Sequence, residues 1–275
     1  MKAFRGQPSI FASRSPEENR AELEVKNLTL QFGGVIALDN VDASVHTGEL
    51  LAIIGPNGAG KTSLLNSITG YYKPQKGTMT FNGHDIFRMS THHLTRLGIG
   101  RTFQNIELFP GISVLGNMLL ARHIHTNYGL GAASIYSPSV KNDEILHRRI
   151  LEELIDFLEM QAIRKQLVGS LPYGLRKRVE LGRALALEPK LLILDEPFAG
   201  MTLEEKEDMV RFLMELNQAW NQTMILVEHD MSVVMSISQR VMVLDFGKKI
   251  TEGSPEMVQN HPQVIKAYLG DAVKI

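Results

Sequence analysis

The residues of this chain best suited to chemistry are Gly55-Pro56-Asn57-Gly58-Ala59-Gly60-Lys61-Thr62, followed by Ser63. They spell G-x-x-x-x-G-K-T, a loop whose bare backbone N–H groups meet a dense anion at the positive end of a helix. Gly55, Gly58 and Gly60 let the chain curl and come close to phosphate oxygens. Lys61 is expected to reach the β- and γ-phosphates, and the Thr62 hydroxyl to ligate Mg²⁺. A second cluster lies far along the chain, where Leu191-Leu192-Ile193-Leu194 runs into Asp195-Glu196-Pro197. Two carboxylates closing a buried strand are costly unless a cation meets them. Beside a phosphate loop, Asp195 is expected to hold Mg²⁺ through water, and Glu196 to orient and polarise an attacking water.

These groups work only if the right elements hold them. The apolar run Leu50-Leu51-Ala52-Ile53-Ile54 reads as a buried strand ahead of the loop, and Ser63 to Ile68 as a helix ending at Gly70. Alternation at Leu23, Val25, Leu28, Leu30, Phe32 and at Val41, Ala43, Val45 predicts antiparallel strands separated by Gly33-Gly34 and His46-Thr47-Gly48 turns. Gly77 to Phe81 with Asn82-Gly83 predicts a further strand and tight turn. From about His92 to Glu188 the pattern turns mainly helical: Ser113 is a candidate N-cap, and Ile145 to Met160 has helical spacing. Tyr128 to Asp143, rich in Gly, Ala and Ser and holding Pro138, reads as a variable loop. Three further apolar runs, 191–194, 224–227 and 241–244, imply a parallel sheet buried on both faces. The expected fold class is therefore α/β, with a polar tail over 1–22, a single domain over 23–270 enclosing a helical insertion of about 92–188, and a short end over 271–275.

Composition narrows the classes. Of 275 residues 44% are hydrophobic and 21% charged, as in soluble globular proteins. A net charge of −1 supplies no general attraction to nucleic acid, so Arg176-Lys177-Arg178 reads as a solvated helix face. With no cysteine, disulfides and thiolate metal sites are excluded. No window approaches the ~18 apolar residues of a membrane span, and Met1 to Gly6 lacks the apolar core of a secretion signal. The expected location is cytoplasmic, with any membrane role exerted peripherally through a partner.

Further along, Leu171-Pro172-Tyr173-Gly174-Leu175 and the following Arg176 to Leu185 resemble the signature segment of ATP-binding-cassette (ABC) ATPases. Arg101-Thr102-Phe103-Gln104 looks like that family's glutamine loop, and Val227-Glu228-His229-Asp230 its switch-histidine strand. With the phosphate loop and Asp195-Glu196, five motifs stand in family order over about 23–269. The resemblance implies a P-loop NTPase core with a mostly parallel sheet, an antiparallel β subdomain and an inserted helical subdomain. It also implies ATP as substrate. Phe32 would then stack on adenine, Gln104 sense Mg²⁺ and the attacking water, and His229 contact the γ-phosphate. Residues 171–174 would face the nucleotide of a second ATPase subunit, of the same or a different chain, packed head to tail.

Arg101 to Asn105, Leu171 to Gly174, Glu228 to Met231 and Val264 to Gly270 are similar to the ATPase subunits of branched-chain amino-acid importers. That similarity implies integral-membrane permease partners, a position on the cytoplasmic face of the membrane and, indirectly, a soluble solute receptor. Urea or amide importers and lipid exporters share the architecture. A non-transport ABC scaffold is the alternative of another class; its usual tandem cassettes, coiled insertions or basic tails are not seen in this sequence. Three positions depart from the family: Pro172 replaces a serine, Leu175 a glutamine, and Thr202 the aspartate of the dimer-contact loop. Without the serine hydroxyl the signature is expected to be weakened but active. Ile106, Leu108, Phe109 and Ile112 form a candidate surface for permease docking, with burial in the core as the opposing expectation.

Overall fold

The structure is a computed structural model that describes residues 20–125 and 138–269. Strands β1 (Leu23–Phe32) and β2 (Val35–Val45) pair antiparallel across the Gly33-Gly34 turn. Their alternating Leu23, Val25, Leu30 and Val41, Val45 are buried, the half-buried pattern of period two. β4 (Lys76–Phe81) and the two-residue β5 (His84–Asp85) complete a sheet ordered β2-β1-β4-β5. The second sheet holds β3 (Leu50–Ile54), β6 (Ile99–Arg101), β7 (Leu191–Asp195), β8 (Thr223–Val227), β9 (Arg240–Asp245) and β10 (Lys248–Gly253), in the order β10-β9-β3-β8-β7-β6. All its pairs are parallel except β9 with β10.

Every residue of β3, β7 and β8 is buried, which is why these strands read as continuous apolar runs. The two faces of β7 sort into different cores. Leu191 and Ile193 join a cluster with Leu30, Val41, Leu51 and Leu65, which binds the two sheets together. Leu192 and Leu194 join Met118, Leu151, Leu181 and Phe212 under the helices. There the Phe157 ring packs 4.3 Å from Trp220 and 5.4 Å from Phe212.

The helices that frame the sheet are α1 (Lys61–Ile68), α2 (Thr91–Leu97), α3 (Val114–Arg122), α4 (Pro138–Phe157), α5 (Tyr173–Leu185), α6 (Leu203–Met214), α7 (Met231–Ile237), α8 (Pro255–Gln259) and α9 (Pro262–Leu269). Ser113 caps α3, its hydroxyl accepting the Gly116 N–H at 3.1 Å.

Three elements differ from the sequence reading. α4 already includes 138–143, which composition assigned to a loop; proline is tolerated in a first helical turn, where its missing N–H has no partner to lose. The rest of that loop, 128–137, lies outside the described residues, as do residues 1–19 of the proposed tail and the end 271–275. Arg20 to Glu22 are not loose: Ala21 is buried, and its N–H donates to Thr47 Oγ1 at 3.0 Å. Finally, β6 is a strand within the stretch that reads as helical. Its three residues are too few to show a period, yet they put Arg101 and Thr102 against the end of β7.

Candidate active site

Phosphate loop, acidic strand end and switch strand converge because β3, β8 and β7 are parallel neighbours, so their carboxyl ends open on one crevice. Gly55 leaves β3 at φ 153, and an added Cβ there would lie 2.1 Å from the Leu244 carbonyl oxygen. Gly60 is the N-cap of α1 at φ 102, and no side chain caps that helix or puts an acid in its first turn. Its leading N–H groups are thus left for an anion. Asn57, Gly58 and Thr62 are exposed, Pro56, Gly60 and Ser63 half-buried, and Gly55, Ala59 and Lys61 buried. The Lys61 ammonium folds back over the loop, donating to the carbonyls of Gly55 (2.6 Å) and Pro56 (3.1 Å). Burial pulls its pKa below the ordinary lysine value, against the opposing pull of Glu196 and Asp195.

Asp195 is 1% exposed, and its Oδ2 accepts from Arg101 Nη2 at 2.7 Å. The other terminal nitrogen of Arg101, Nη1, donates to Asn66 (2.7 Å) of α1 and to Thr69 (3.2 Å), its C-cap. One arginine therefore ties the phosphate-loop helix to the acidic strand end. In the sequence Arg101 stands only as the first residue of the glutamine-loop motif; its contacts depend on β6 pairing with β7. Among the described residues, Asp195 Oδ1 is buried with no hydrogen-bond partner. Such an orphan in a desolvated carboxylate is what a site for a hydrated divalent cation should leave open, so the residues present fit Mg²⁺.

Glu196 turns the chain out of β7 in the left-handed region (φ 48), fixed by its N–H to Val227 O at 2.9 Å. Its carboxylate accepts from Gln104 Nε2 at 2.9 Å, so the two expected water-handling groups already touch. His229 projects its ring into solvent with 61% of the side chain exposed, 3.7 Å from Glu228. Glu228 itself is buried and accepts the N–H groups of Phe198 (2.9 Å) and His229 (3.0 Å). Burial pushes its pKa up, while those N–H bonds pull the other way. It fixes the backbone on which His229 sits.

Phe32 stands at the end of β1, 46% exposed, with its ring edge-on to Tyr72 at 4.9 Å. Nothing in the sequence marks Tyr72, because only the fold brings 72 to 32. An exposed, braced aromatic face suits a purine. Phe32→Ala is expected to raise the KM for ATP about 3- to 10-fold with kcat changed less than twofold, since one stacking contact is worth ~1 kcal/mol; an unchanged KM places the base elsewhere.

The signature residues cluster at the head of α5, where Leu171 and Gly174 are buried and Pro172 and Tyr173 exposed. Pro172 is the N-cap and supplies no side-chain bond to the helix. Gly174 packs so tightly on Glu205 that an added Cβ would lie 2.1 Å from its carboxylate. Thr202 has a structural task, because with Glu205 it forms the capping box of α6. Pro172→Ser is expected to raise Tm through a restored cap and kcat/KM up to about tenfold through a new hydroxyl donor. No change in the ATPase rate of the assembled transporter would refute the weakened-signature reading. Of the candidate docking residues, Phe109 is 57% exposed, whereas Leu108 packs against the helical core.

A family model described as "ABC transporter" matches residues 38–199, and one described as "Branched-chain amino acid ATP-binding cassette transporter" matches 248–274. The chain is 37% identical over 257 residues to the Pseudomonas aeruginosa high-affinity branched-chain amino acid transport ATP-binding protein BraF, covering 92% of this chain and all of that one. A solved ADP conformation of an ATP-binding cassette of an ABC transporter superposes with a TM-score of 0.79 at 31% identity, over 91% of this chain and 99% of the other. A dimeric cassette in a post-hydrolysis state with ADP and Pi superposes at 0.72 with 26% identity, over 85% and 98%.

Proposed function

The chain belongs to the ABC transporter family and is an ATP-hydrolysing cassette of the α/β class, and we propose that it energises a membrane importer of branched-chain amino acids. The observation that carries hydrolysis is the Gln104–Glu196 hydrogen bond, 2.9 Å long, beside a phosphate loop whose lysine charge is favoured by the nearby Glu196 and Asp195 carboxylates. The similarity to BraF and the match over 248–274 support the cargo.

In this reading the amides of 55–63 and the Lys61 ammonium bind the phosphates, while Phe32 holds the base. Glu196 accepts a proton from the water that attacks the γ-phosphate in line, Gln104 orients that water, and His229 steadies charge on the γ-phosphate. Thr62, Gln104 and Asp195 would hold Mg²⁺, which would supply charge neutralisation for the bound phosphates. Residues 171–174 of a second, head-to-tail subunit complete the site, in keeping with the dimeric solved cassette.

No helix among the described residues is long and apolar enough to cross a membrane. In this reading separate permease subunits supply the channel, and the cassette sits peripherally at its cytoplasmic face. Phe109 and the neighbouring groove of about 540 Å³, lined by Tyr71, Leu94, Phe103 and Glu107, are where the permease would seat. The groove borders the Gln104 loop, so docking and chemistry share one segment. A soluble receptor would deliver the solute.

The test is purification from native membranes with a photo-crosslinker at position 109, followed by ATPase assay of the recovered complex in liposomes. Leucine-stimulated hydrolysis and a crosslinked permease are expected. Stimulation by urea or by lipid instead would overturn the cargo, and capture of no permease would move the seat.

A further inference from the structure

Lys177 and Glu180 lie one turn apart on α5 with side chains only 2% exposed each, yet Nζ and Oε2 stand 3.7 Å apart. A buried pair of this kind contributes little to stability by itself, and its atoms must be satisfied elsewhere. They are satisfied by main chain. Lys177 Nζ donates to Gln104 O at 2.9 Å, and Glu180 Oε1 accepts the Phe103 N–H at 3.2 Å. One turn further, Arg183 Nη1 donates to Glu107 O. Three charged residues at intervals of three thus hold the backbone of 103–107 from a single helix, with charge-assisted bonds that are stronger than neutral ones.

From this geometry we infer that Lys177, Glu180 and Arg183 are positioning residues that fasten the signature helix to the glutamine loop. Displacement at the head of α5, when it engages the nucleotide of the opposite subunit, is then delivered to Gln104. The inference rests on the ATPase reading above. Because the grip is on main-chain atoms, it does not depend on which side chains the loop carries. Its output is the Gln104–Glu196 contact, so loosening it should slow turnover without weakening the hold on ATP.

Amide hydrogen exchange on the full chain, with and without MgATP, tests this alongside steady-state kinetics. Glu180→Leu is expected to speed exchange at Phe103 at least about tenfold while the interior of 173–185 keeps its protection. Its kcat should fall about tenfold or more, with KM changed less than threefold. Glu180→Gln keeps an acceptor oxygen and should restore both readouts to within about threefold. Should Glu180→Leu fail to fold, Arg183→Gln, at a partly exposed position, should release Glu107 and lower kcat about 3- to 10-fold. Loop release with unchanged kcat would overturn the inference, as would slowing that appears only when the helix itself loses protection. Absence of ATP hydrolysis by the wild-type assembly would instead defeat the ATPase reading, a result the exchange data keep distinct.

Discussion

Glu196→Gln is expected to lower kcat for ATP hydrolysis about 10²- to 10⁴-fold while changing MgATP affinity less than about threefold, the span attributed to a positioned general base. The substitution is clean because the position is fixed by its backbone. The N–H of residue 196 is tied to Val227 and its carbonyl accepts from Ala199 at 3.3 Å, and neither bond uses the carboxylate. Glutamine keeps an oxygen for Gln104 Nε2, so the loop stays in place and only the proton acceptor is lost. Asp195 offers no comparably clean test. Its partner Arg101 has a side chain 8% exposed, and Asp195→Asn would leave that guanidinium buried without its counter-charge, a loss of about 3–5 kcal/mol of stability. Single-turnover hydrolysis, equilibrium binding and sedimentation separate the outcomes: the variant should bind ATP, persist as a dimer with it and fail to cleave. A kcat reduced less than about tenfold would mean that the water's proton goes elsewhere.

What sequence made legible was whatever is written contiguously. The phosphate loop announces itself because its glycines, lysine and threonine are consecutive, and Asp195-Glu196 because an apolar strand runs straight into them. The antiparallel hairpin was readable from alternation. The bridging role of Arg101 was not, since it requires three-residue β6 to lie beside β7, and α1 and its C-cap to present Asn66 and Thr69 to the same guanidinium. Nor could the left-handed turn at Glu196 be read, because glutamate is not a residue that advertises positive φ. Pro138 misled for a physical reason: proline breaks helix interiors but starts helices well. Leu108 and Phe109 are adjacent and both apolar, yet one faces the core and the other solvent, a distinction that composition cannot make. The same holds for Lys177: within Arg176-Lys177-Arg178 it looks solvated, but only the fold reveals that its ammonium is buried against the loop carrying Gln104.

Lys61→Ala should weaken ATP binding about 10- to 100-fold, and the argument turns on what the ammonium already does without nucleotide. Its three donors include two committed to the Gly55 and Pro56 carbonyls, which braces the curl and leaves the charge at its mouth. A hydrogen bond to a charged partner is worth about 1.5–3 kcal/mol, and 1.4 kcal/mol is a factor of ten in affinity. Alanine removes that contribution, both carbonyl bonds and the stem that fills the loop. Lys61→Met keeps the buried stem but loses the ammonium and both carbonyl bonds, so it should bind ATP as weakly as alanine while keeping more of the wild-type Tm. AMP, which lacks β- and γ-phosphates, should bind all three proteins with similar affinity. If alanine and methionine variants retain ATP affinity within about twofold of wild type, Lys61 is a structural brace only, and the phosphates are held by backbone amides alone.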